Sequence, residues 1–423
     1  MRVCSRLIPV QRLASLRIRS TRRSVGAALS LLIACANGSP YYGTQERCAA
    51  EPQSAEIAQR LLLIGDAGEN MPGDPVLDLL ASRAMQAPDS TTVVFLGDNI
   101  YDRGFRTGEL DTPADVAEAR TWLDAQLGVL EQSGAEGIFL PGNHDWDDGG
   151  RHGWTRMQDL DRHLGRVRAE GLPVTLLPPA GCPGPRTKDL GGVARLAIID
   201  TQWWLHTHSK PGPSSPARCE NLTENEVVQA LQTSLRDPAA SGMAKVVAAH
   251  HPLESHGPHG GHAGAEGHLF PFAGQGDTLK IPLPVIGSIY ALTRKYFSPS
   301  RQDVSNPTNR AMVGRLSEEV LAGLVGSGSP PVFYVAGHDH SIQILDGGSA
   351  ATLTIVSGAG SASKASRVGY DEETLFADNR TGFVEMDFLS GGAVWIGVFE
   401  PGHRAAANAC PQVFSMRIEP ANP

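Results

Sequence analysis

Five short polar motifs in this 423-residue chain contain residue types that can bind metal ions or transfer protons. Each follows a short apolar run, and in chain order they are GDAG (65–68), GDNIY (97–101), GNHD (142–145), HHP (250–252) and GHDH (337–340). Hard oxygen donors and imidazole nitrogens bind metal cations, and a bridging carboxylate is a common way to hold two of them close together. The motifs therefore indicate a two-metal site of the kind used in phosphate chemistry.

Each motif taken alone has an ordinary structural explanation. A strand-end aspartate such as Asp66 is often a turn former or a helix cap, and Asn143 and Asp145 fit a polar turn. Tyr101 alone is more typical of a half-buried core aromatic. Their joint occurrence in this order, each at the end of an apolar run, favours a dinuclear phosphoesterase.

The apolar runs before the motifs predict buried strands, at 61–64, 92–96, 138–140, 246–249 and 332–336. Between them, Thr112 and Pro113 begin a helix predicted to reach about Gln132, and Thr223 with Glu226 forms a capping box before a second helix. Strands that alternate with helices indicate a largely parallel sheet. Four successive C-terminal strands indicate a second sheet packed on the first, at 342–345, 351–356, 383–388 and 393–399.

With these motifs the chain resembles the calcineurin-like metallophosphoesterase superfamily, and within it the purple acid phosphatases of the tartrate-resistant type. The superfamily pattern begins with Asp-x-His, whereas Asp66 is followed by Ala67 and Gly68, so that histidine is missing. Tyr101 lies three residues after Asp98 and can replace it, and this Asp-x-x-Tyr arrangement marks the purple enzymes. A phenolate is a hard anionic ligand that favours a ferric ion.

The resemblance implies an α/β fold, a four-layer αββα sandwich in which two mixed β-sheets are flanked by helices, with a long loop insertion at about 252–310. It implies that Asp66, Tyr101 and His340 hold a first ion, Fe(III), and that Asp98 bridges. A second, divalent ion, Fe, Zn or Mn, would be held by the remaining three ligands, Asn143, His250 and His338. His144 would protonate the leaving alkoxide, with Asp145 orienting its imidazole.

The expected reaction is hydrolysis of phosphate monoesters by attack of a metal-bound hydroxide, with a phosphorylated small molecule or a phosphoprotein as the substrate. His256, followed by Gly257, is the best match to a family histidine that contacts the substrate phosphate. Two alternatives stay open, a phosphodiesterase or pyrophosphatase on the same scaffold and a non-catalytic metal-binding surface lipoprotein. The presence of His144 beside Asn143 favours an enzyme.

The insertion carries further histidines, His259, His262 and His268, which we expect in a solvated loop. Metal capture and a substrate lid are the alternatives for this loop. An apolar stretch at 281–292 contains two prolines and a glycine, which exclude a membrane span. It is predicted to be a loop packed beside the cleft.

The N-terminal sequence predicts export. Residues 1–34 contain seven arginines and no acidic residue, and an apolar run at 25–34 has the length of a signal-peptide core. The run ends LIAC, which resembles the lipobox of bacterial lipoproteins and would make Cys35 the lipidated N-terminus; an ordinary cleavable signal is the alternative. The predicted location is the bacterial cell envelope, with a lipid anchor, or the periplasm or extracellular space.

We predict a tether at 35–55 and a catalytic domain at 56–423. Four cysteines of an exported chain without Cys-x-x-Cys pairs favour disulfides over a zinc site, and they allow three connectivities. We favour Cys182 with Cys219 and Cys48 with Cys410, free buried thiols being the alternative. Without the leader the net charge is −16, which makes nucleic acid an unsuitable partner and leaves the N-terminal lipid as the expected membrane contact.

Overall fold

The computed structural model of the protein describes residues 40–43, 48–215, 217–262, 268–269, 282–326, 329–403 and 410–420. The predicted signal peptide at 1–34 and Cys35 lie outside these ranges, so both remain predictions. In the part of the chain that is described, no helix has the length and apolar character needed to cross a membrane.

Fifteen strands are present among the described residues, and most are apolar and buried. They are β1 (Tyr41–Tyr42), β2 (Ile57–Ile64), β3 (Thr91–Phe95), β4 (Glu136–Phe139), β5 (Val174–Leu176), β6 (Arg186–Leu190), β7 (Ala194–Ile198), β8 (Ala244–Ala248), β9 (Val332–Ala336), β10 (Ile342–Asp346), β11 (Leu353–Ser357), β12 (Thr374–Asp378), β13 (Phe383–Leu389), β14 (Val394–Phe399) and β15 (Phe414–Ile418). The five strands predicted before the polar motifs are β2, β3, β4, β8 and β9, and all five are confirmed.

The strands form two mixed sheets, as predicted. One has the order β15-β14-β13-β2-β3-β4-β5, and the other has the order β1-β12-β10-β11-β9-β8-β7-β6. Strands β2 to β5 are parallel, as are β7, β8, β9 and β11, while β13 pairs antiparallel with β2 and β10 with β11.

The C-terminal strands do not form a sheet of their own, which corrects the interpretation of the sequence. Strands β10 to β12 extend the eight-stranded sheet, and β13 to β15 extend the seven-stranded one. The reason is pairing across long sequence distances, since β11 lies beside β9 and β13 beside β2.

Side chains that alternate between the two faces of each strand form two separate apolar cores. Leu61 and Leu63 of β2 pack between the two sheets, whereas Leu62 and Ile64 point to the core beneath the helices. Successive side chains of a strand face opposite sides of the sheet, so a strand buried on both faces is apolar throughout. The result is a sandwich of two sheets flanked by helices.

Seven α-helices have both ends within the described residues. They are α1 (Pro75–Ala84), α2 (Pro113–Ser133), α3 (Gly153–Ala169), α4 (Thr201–Leu205), α5 (Glu224–Leu235), α6 (Pro284–Phe297) and α7 (Pro307–Gly314). Capping boxes begin two of them: Thr112 with Asp115 before α2, and Thr223 with Glu226 before α5. The starts predicted for these two helices are confirmed.

The stretch at 281–292 is largely helical, so the prediction of a loop is wrong. Helix α6 begins at Pro284, and Pro282 precedes it. Proline is tolerated in the first turn of a helix, where its missing N–H would have no partner in any case. Neither proline therefore interrupts this helix.

Both predicted disulfides are present, Cys48 with Cys410 and Cys182 with Cys219. The first joins the two ends of the domain, close to Ser415 of β15. Part of the stretch predicted as a tether, 35–55, is attached to the domain, because Tyr41 and Tyr42 pair with β12. The chain from Pro40 to Pro423 forms one compact unit that contains both sheets.

Candidate metal centre

The five motifs meet where the carboxyl ends of parallel strands from both sheets come together. Backbone hydrogen bonds join the turns directly: the N–H of Asp66 donates to Gly97 O at 2.9 Å, and that of Gly337 donates to His250 O at 3.1 Å. A further bond joins Gly65 N to Ser357 O at 2.7 Å. Ligand sites of open α/β sheets lie at such strand ends.

Three predicted ligands have a strained backbone. The φ angle is 58° at Asp66, 52° at Asp98 and 72° at His338. Side chains other than glycine rarely adopt this left-handed region, and such strain concentrates at functional sites. The turns therefore hold these side chains in positions that an ordinary strand end would not provide.

Gly142 allows the turn of the GNHD motif to approach the turn of the GDNIY motif closely. A Cβ atom at this position would lie 2.2 Å from Asp98 Oδ1 and 2.2 Å from the Asp98 backbone nitrogen. Any larger residue would displace the carboxylate, so the glycine of the GNHD motif is a packing requirement of the site.

Two groups of potential metal ligands share Asp98. The first group contains Asp66, Asp98 and His340, and the second contains Asp98, His250 and His338; in each group the ligand atoms lie within 4.8 Å of one another. The aspartates are 0% and 1% exposed. A carboxylate common to two adjacent groups is the arrangement expected of a residue that bridges two cations.

Tyr101 belongs to the first group. Its hydroxyl lies 3.1 Å from Asp66 Oδ1, 3.2 Å from His340 Nε2 and 3.4 Å from Asp98 Oδ2. The predicted first set, with its phenolic oxygen, is therefore assembled around one point.

Asn143 belongs to the second group. Its Oδ1 lies 3.1 Å from His250 Nε2 and 3.1 Å from His338 Nδ1, and these two ring nitrogens are 3.2 Å apart. All seven predicted ligands are thus brought together by the fold.

The tautomers of the two buried histidines fit a cation in this second position. His250 Nδ1 lies 2.8 Å from Leu96 O, and His338 Nε2 lies 2.9 Å from Gln302 O. A carbonyl can only accept a hydrogen bond, so these nitrogens are the donors. The other nitrogen of each ring points to the centre and can offer its lone pair to a metal.

Burial and neighbouring charges shift the pKa values of Asp98 and Tyr101. Burial acts to raise the pKa of Asp98, but the neighbouring His250 and His144 outweigh it and hold that pKa well below its usual range. Burial and the charges of Asp66 and Asp98 raise the pKa of Tyr101 well above its ordinary value. A bound cation favours the phenolate and the neutral imidazole, so metal binding and proton release are coupled here.

His144 lies at the edge of the centre, with its side chain 22% exposed. Its Nδ1 is 2.6 Å from Asp102 O, so Nδ1 carries a proton and Nε2 faces the site, 3.9 Å from Asp98 Oδ2. The ring centroid lies 4.5 Å from that of Tyr101. This position suits a proton donor that is not itself a ligand.

Asp145 does not orient His144, which corrects the prediction from the sequence. Its carboxylate is fully buried and accepts hydrogen bonds from Gly142 N at 2.9 Å and from the Asn99 side chain at 2.9 Å. Burial and the charge of Asp98 raise its pKa to about 7. It fixes the turn that carries the ligands, and the Asp102 carbonyl orients the imidazole instead.

His256 is placed in a different group of side chains. Its backbone N–H donates to Gln343 Oε1, and its Nε2 lies 3.2 Å from Asp371 Oδ1, with Glu254 close by. The sequence interpretation of His256 as a substrate contact therefore has no support in this arrangement.

His259 approaches the centre instead. Its ring centroid is 4.1 Å from that of His338, and its Nδ1 is 2.8 Å from Asp303 Oδ1. His251 also packs on His338, at 4.4 Å between centroids, with its Nε2 2.6 Å from Gln302 Oε1. The HHP motif contained His251, but no sequence signal singled out His259 or linked Gln302 to the site.

No protein-family model and no curated protein matches this chain. Among solved structures it aligns with GAP50, the anchor in the inner membrane complex of Plasmodium, at 14% identity and a TM-score of 0.47, covering 86% of this chain and 89% of that one. It aligns with the purple acid phosphatase PPD1 of yellow lupin (Lupinus luteus) at 12% identity and a TM-score of 0.47, covering 86% and 54%. Phosphopantetheinyl hydrolase (PptH) of Mycobacterium tuberculosis aligns at 14% identity and a TM-score of 0.31, covering 72% and 91%. At such scores any functional assignment rests on the site itself.

Proposed function

We propose that the protein is a dinuclear metal-dependent phosphoesterase that hydrolyses phosphate monoesters. The observation that carries the proposal is the position of Asp98, which belongs to two adjacent groups of buried or half-buried potential ligands. A single-metal site needs only one such group. Two cations about a bridging carboxylate are suited to in-line displacement at phosphorus.

The first cation would be held by Asp66, Tyr101, Asp98 and His340, and the phenolic oxygen favours Fe(III). The second, a divalent Fe, Zn or Mn, would be held by Asp98, Asn143, His250 and His338. When bound, the pair would supply an activated water and neutralise charge on the phosphate oxygens.

The chain itself would supply proton transfer and orientation. His144 presents Nε2 to the centre while Asp102 O fixes the ring, and we propose that it protonates the oxygen of the leaving alcohol. His251 and His259 pack against His338 and would hold its ring in place.

The substrate would be a phosphorylated small molecule or a phosphoprotein outside the cytoplasm. Two disulfides agree with an oxidising compartment, and the N-terminal sequence agrees with export to the cell envelope.

The test is hydrolysis of a chromogenic phosphate monoester and of the corresponding diester across pH, with the chain from residue 36 onwards loaded with iron and zinc. We expect a clear preference for the monoester under acidic conditions. A preference for the diester would instead assign a phosphodiesterase, and two bound metals without turnover would assign a non-catalytic metal-binding protein.

The His144→Ala variant tests the role of the imidazole. We expect kcat to fall by about 10²–10⁴-fold on an alkyl phosphate, with much less loss on a nitrophenyl phosphate, because a good leaving group needs little protonation. Metal content should be unchanged. The exposed His208→Ala serves as the matched control, and full activity of His144→Ala on the alkyl ester would refute the assignment.

A further inference from the structure

Helix α6 carries most of the large apolar side chains that the described residues expose. Eleven such side chains are at least 43% exposed, and seven of them lie on this helix, among them Val285, Ile289, Leu292 and Phe297. Soluble domains usually scatter exposed apolar residues singly, and a contiguous patch marks an interaction surface.

The amphipathic pattern of α6 is inverted relative to a core helix. The face turned to the domain bears small or polar residues, Gly287, Ala291, Arg294 and Ser298, at a spacing of three to four residues. A helix that packs on its own domain buries its large apolar face. The large apolar face of α6 is therefore directed away from the described part of the domain.

Polar contacts fix the orientation of this helix. Arg294 Nε lies 2.7 Å from Asp303 Oδ2, and Arg310 Nη2 donates to Tyr296 O at 3.2 Å. Ser305 Oγ donates to the carbonyl of Arg294. The apolar face is thus presented by a firmly attached element.

The charge of this region differs in sign from that of the whole chain. Between Asp277 and Asp303 the sequence contains four Lys or Arg residues and no acidic residue, whereas the chain has a net charge of −9. Asp303 neutralises one of the four, Arg294. Lys295 Nζ lies 5.7 Å from the ring centroid of Tyr296. Aliphatic and aromatic side chains beside basic ones are typical of helices that lie in a membrane interface.

We propose that α6 is a membrane-docking helix whose apolar face enters the headgroup region of an anionic bilayer. Its 14 residues span about 21 Å, which is shorter than the hydrocarbon core, so it would lie along the surface. Its exposed basic residue, Lys295, complements anionic lipid. A lipid on Cys35 would be a second membrane contact, and firm anchoring generally needs two.

The experiment is co-sedimentation with vesicles, using the chain from residue 36 onwards, which keeps the whole compact unit and lacks Cys35. The vesicles are phosphatidylcholine alone or a mixture with phosphatidylglycerol. We expect binding to the mixed vesicles and weaker binding to phosphatidylcholine. The triple variant Val285→Ser, Ile289→Ser, Phe297→Ser should bind at least about tenfold more weakly, and Lys295→Glu should weaken binding to the mixed vesicles alone.

The matched control replaces three exposed apolar residues outside α6, Met71→Ser, Met85→Ser and Leu110→Ser, and should bind as the wild type does. Metal content and hydrolysis of a soluble monoester should be unchanged in both triple variants, which separates loss of docking from loss of fold or of the proposed activity. The proposal is overturned if the wild type sediments with neither vesicle, or if both triple variants lose binding equally. It is also overturned if the α6 variant abolishes a dimer in analytical ultracentrifugation and leaves vesicle binding intact.

Discussion

The carboxylate of Asp98 is the residue on which the two-metal arrangement depends. Its Oδ1 lies 3.4 Å from His250 Nε2, and its Oδ2 lies 3.4 Å from the Tyr101 hydroxyl. We expect Asp98→Asn to lose both cations, because an amide has one neutral oxygen in place of two charged ones. His340→Ala should lose mainly the first cation, since His340 belongs to one group alone.

Metal content by plasma mass spectrometry checks this prediction, with Asp148→Asn as the control. Asp148 accepts a hydrogen bond from Asn143 at 3.3 Å but is not among the predicted ligands. Retention of both cations by Asp98→Asn at the wild-type affinity would show that Asp98 does not bridge.

A proton on His250 competes with the second cation. Burial disfavours the imidazolium, but the charge of Asp98 outweighs it and raises the pKa of His250 from 6.5 to about 9 in the metal-free protein. The ring is therefore charged at neutral pH and must lose its Nε2 proton on binding. The apparent affinity for the second cation should rise with pH and level off above about 9.

Calorimetric titration of the metal-free protein in buffers with different protonation enthalpies measures the protons released. Tyr101→Phe removes the phenolic proton from that count, leaving the contributions of His250 and of His340. Burial acts to lower the pKa of His340, but Asp66 outweighs burial and raises that pKa as well. An affinity that does not change with pH over this range would contradict the prediction.

At the scale of elements, a buried ion-pair network fastens β13 to β2 and to α1. Arg60 contacts Asp387 at 2.8 Å and Glu385 at 2.9 Å, and Arg83 of α1 contacts Glu385 at 2.6 Å. The Arg60, Glu385 and Asp387 side chains are at most 3% exposed. This network joins a C-terminal strand to the strand that delivers Asp66.

The Asp387→Ala variant should lower the free energy of unfolding by about 3 kcal/mol, because it leaves part of the buried Arg60 charge uncompensated. Urea denaturation measures this free energy and the midpoint of unfolding. Glu319→Ala removes an exposed partner of Arg315 and should leave the midpoint unchanged. Equal midpoints for Asp387→Ala and the wild type would show that the network adds no net stability.

For the whole molecule, the Cys48–Cys410 disulfide closes a loop of 362 residues. It restrains the unfolded chain and holds the N-terminal segment beside β15. Replacing both cysteines by serine should lower the unfolding free energy by about 2–5 kcal/mol, and by more than the same change at Cys182 and Cys219, which are 37 residues apart. Thermal unfolding of the two double variants provides the comparison, and a larger loss at Cys182 and Cys219 would contradict the loop-length argument.

The amino-acid sequence by itself determined the strands that precede the polar motifs, the starts of α2 and α5, and the seven side chains that converge from Asp66 to His340. Apolar runs, capping residues and strand-end turns depend on near neighbours along the chain, which are visible in the sequence. Both favoured disulfide pairings are present: Cys182 with Cys219 closes a Pro- and Gly-rich segment, and Cys48 with Cys410 ties the two ends of the domain.

Only the tertiary structure decided the division of the C-terminal strands between two sheets, the packing of His259 on His338, and the role of Asp145 in the turn. Each of these depends on contacts between residues far apart in sequence, such as β13 with β2 or His259 with His338. Helix α6 is a further case. The two prolines and the glycine at 281–292 excluded a membrane span, but they did not show that Pro284 begins a helix. Short sequence motifs therefore identified the predicted ligands, whereas contacts between residues far apart in sequence determined which side chains surround them.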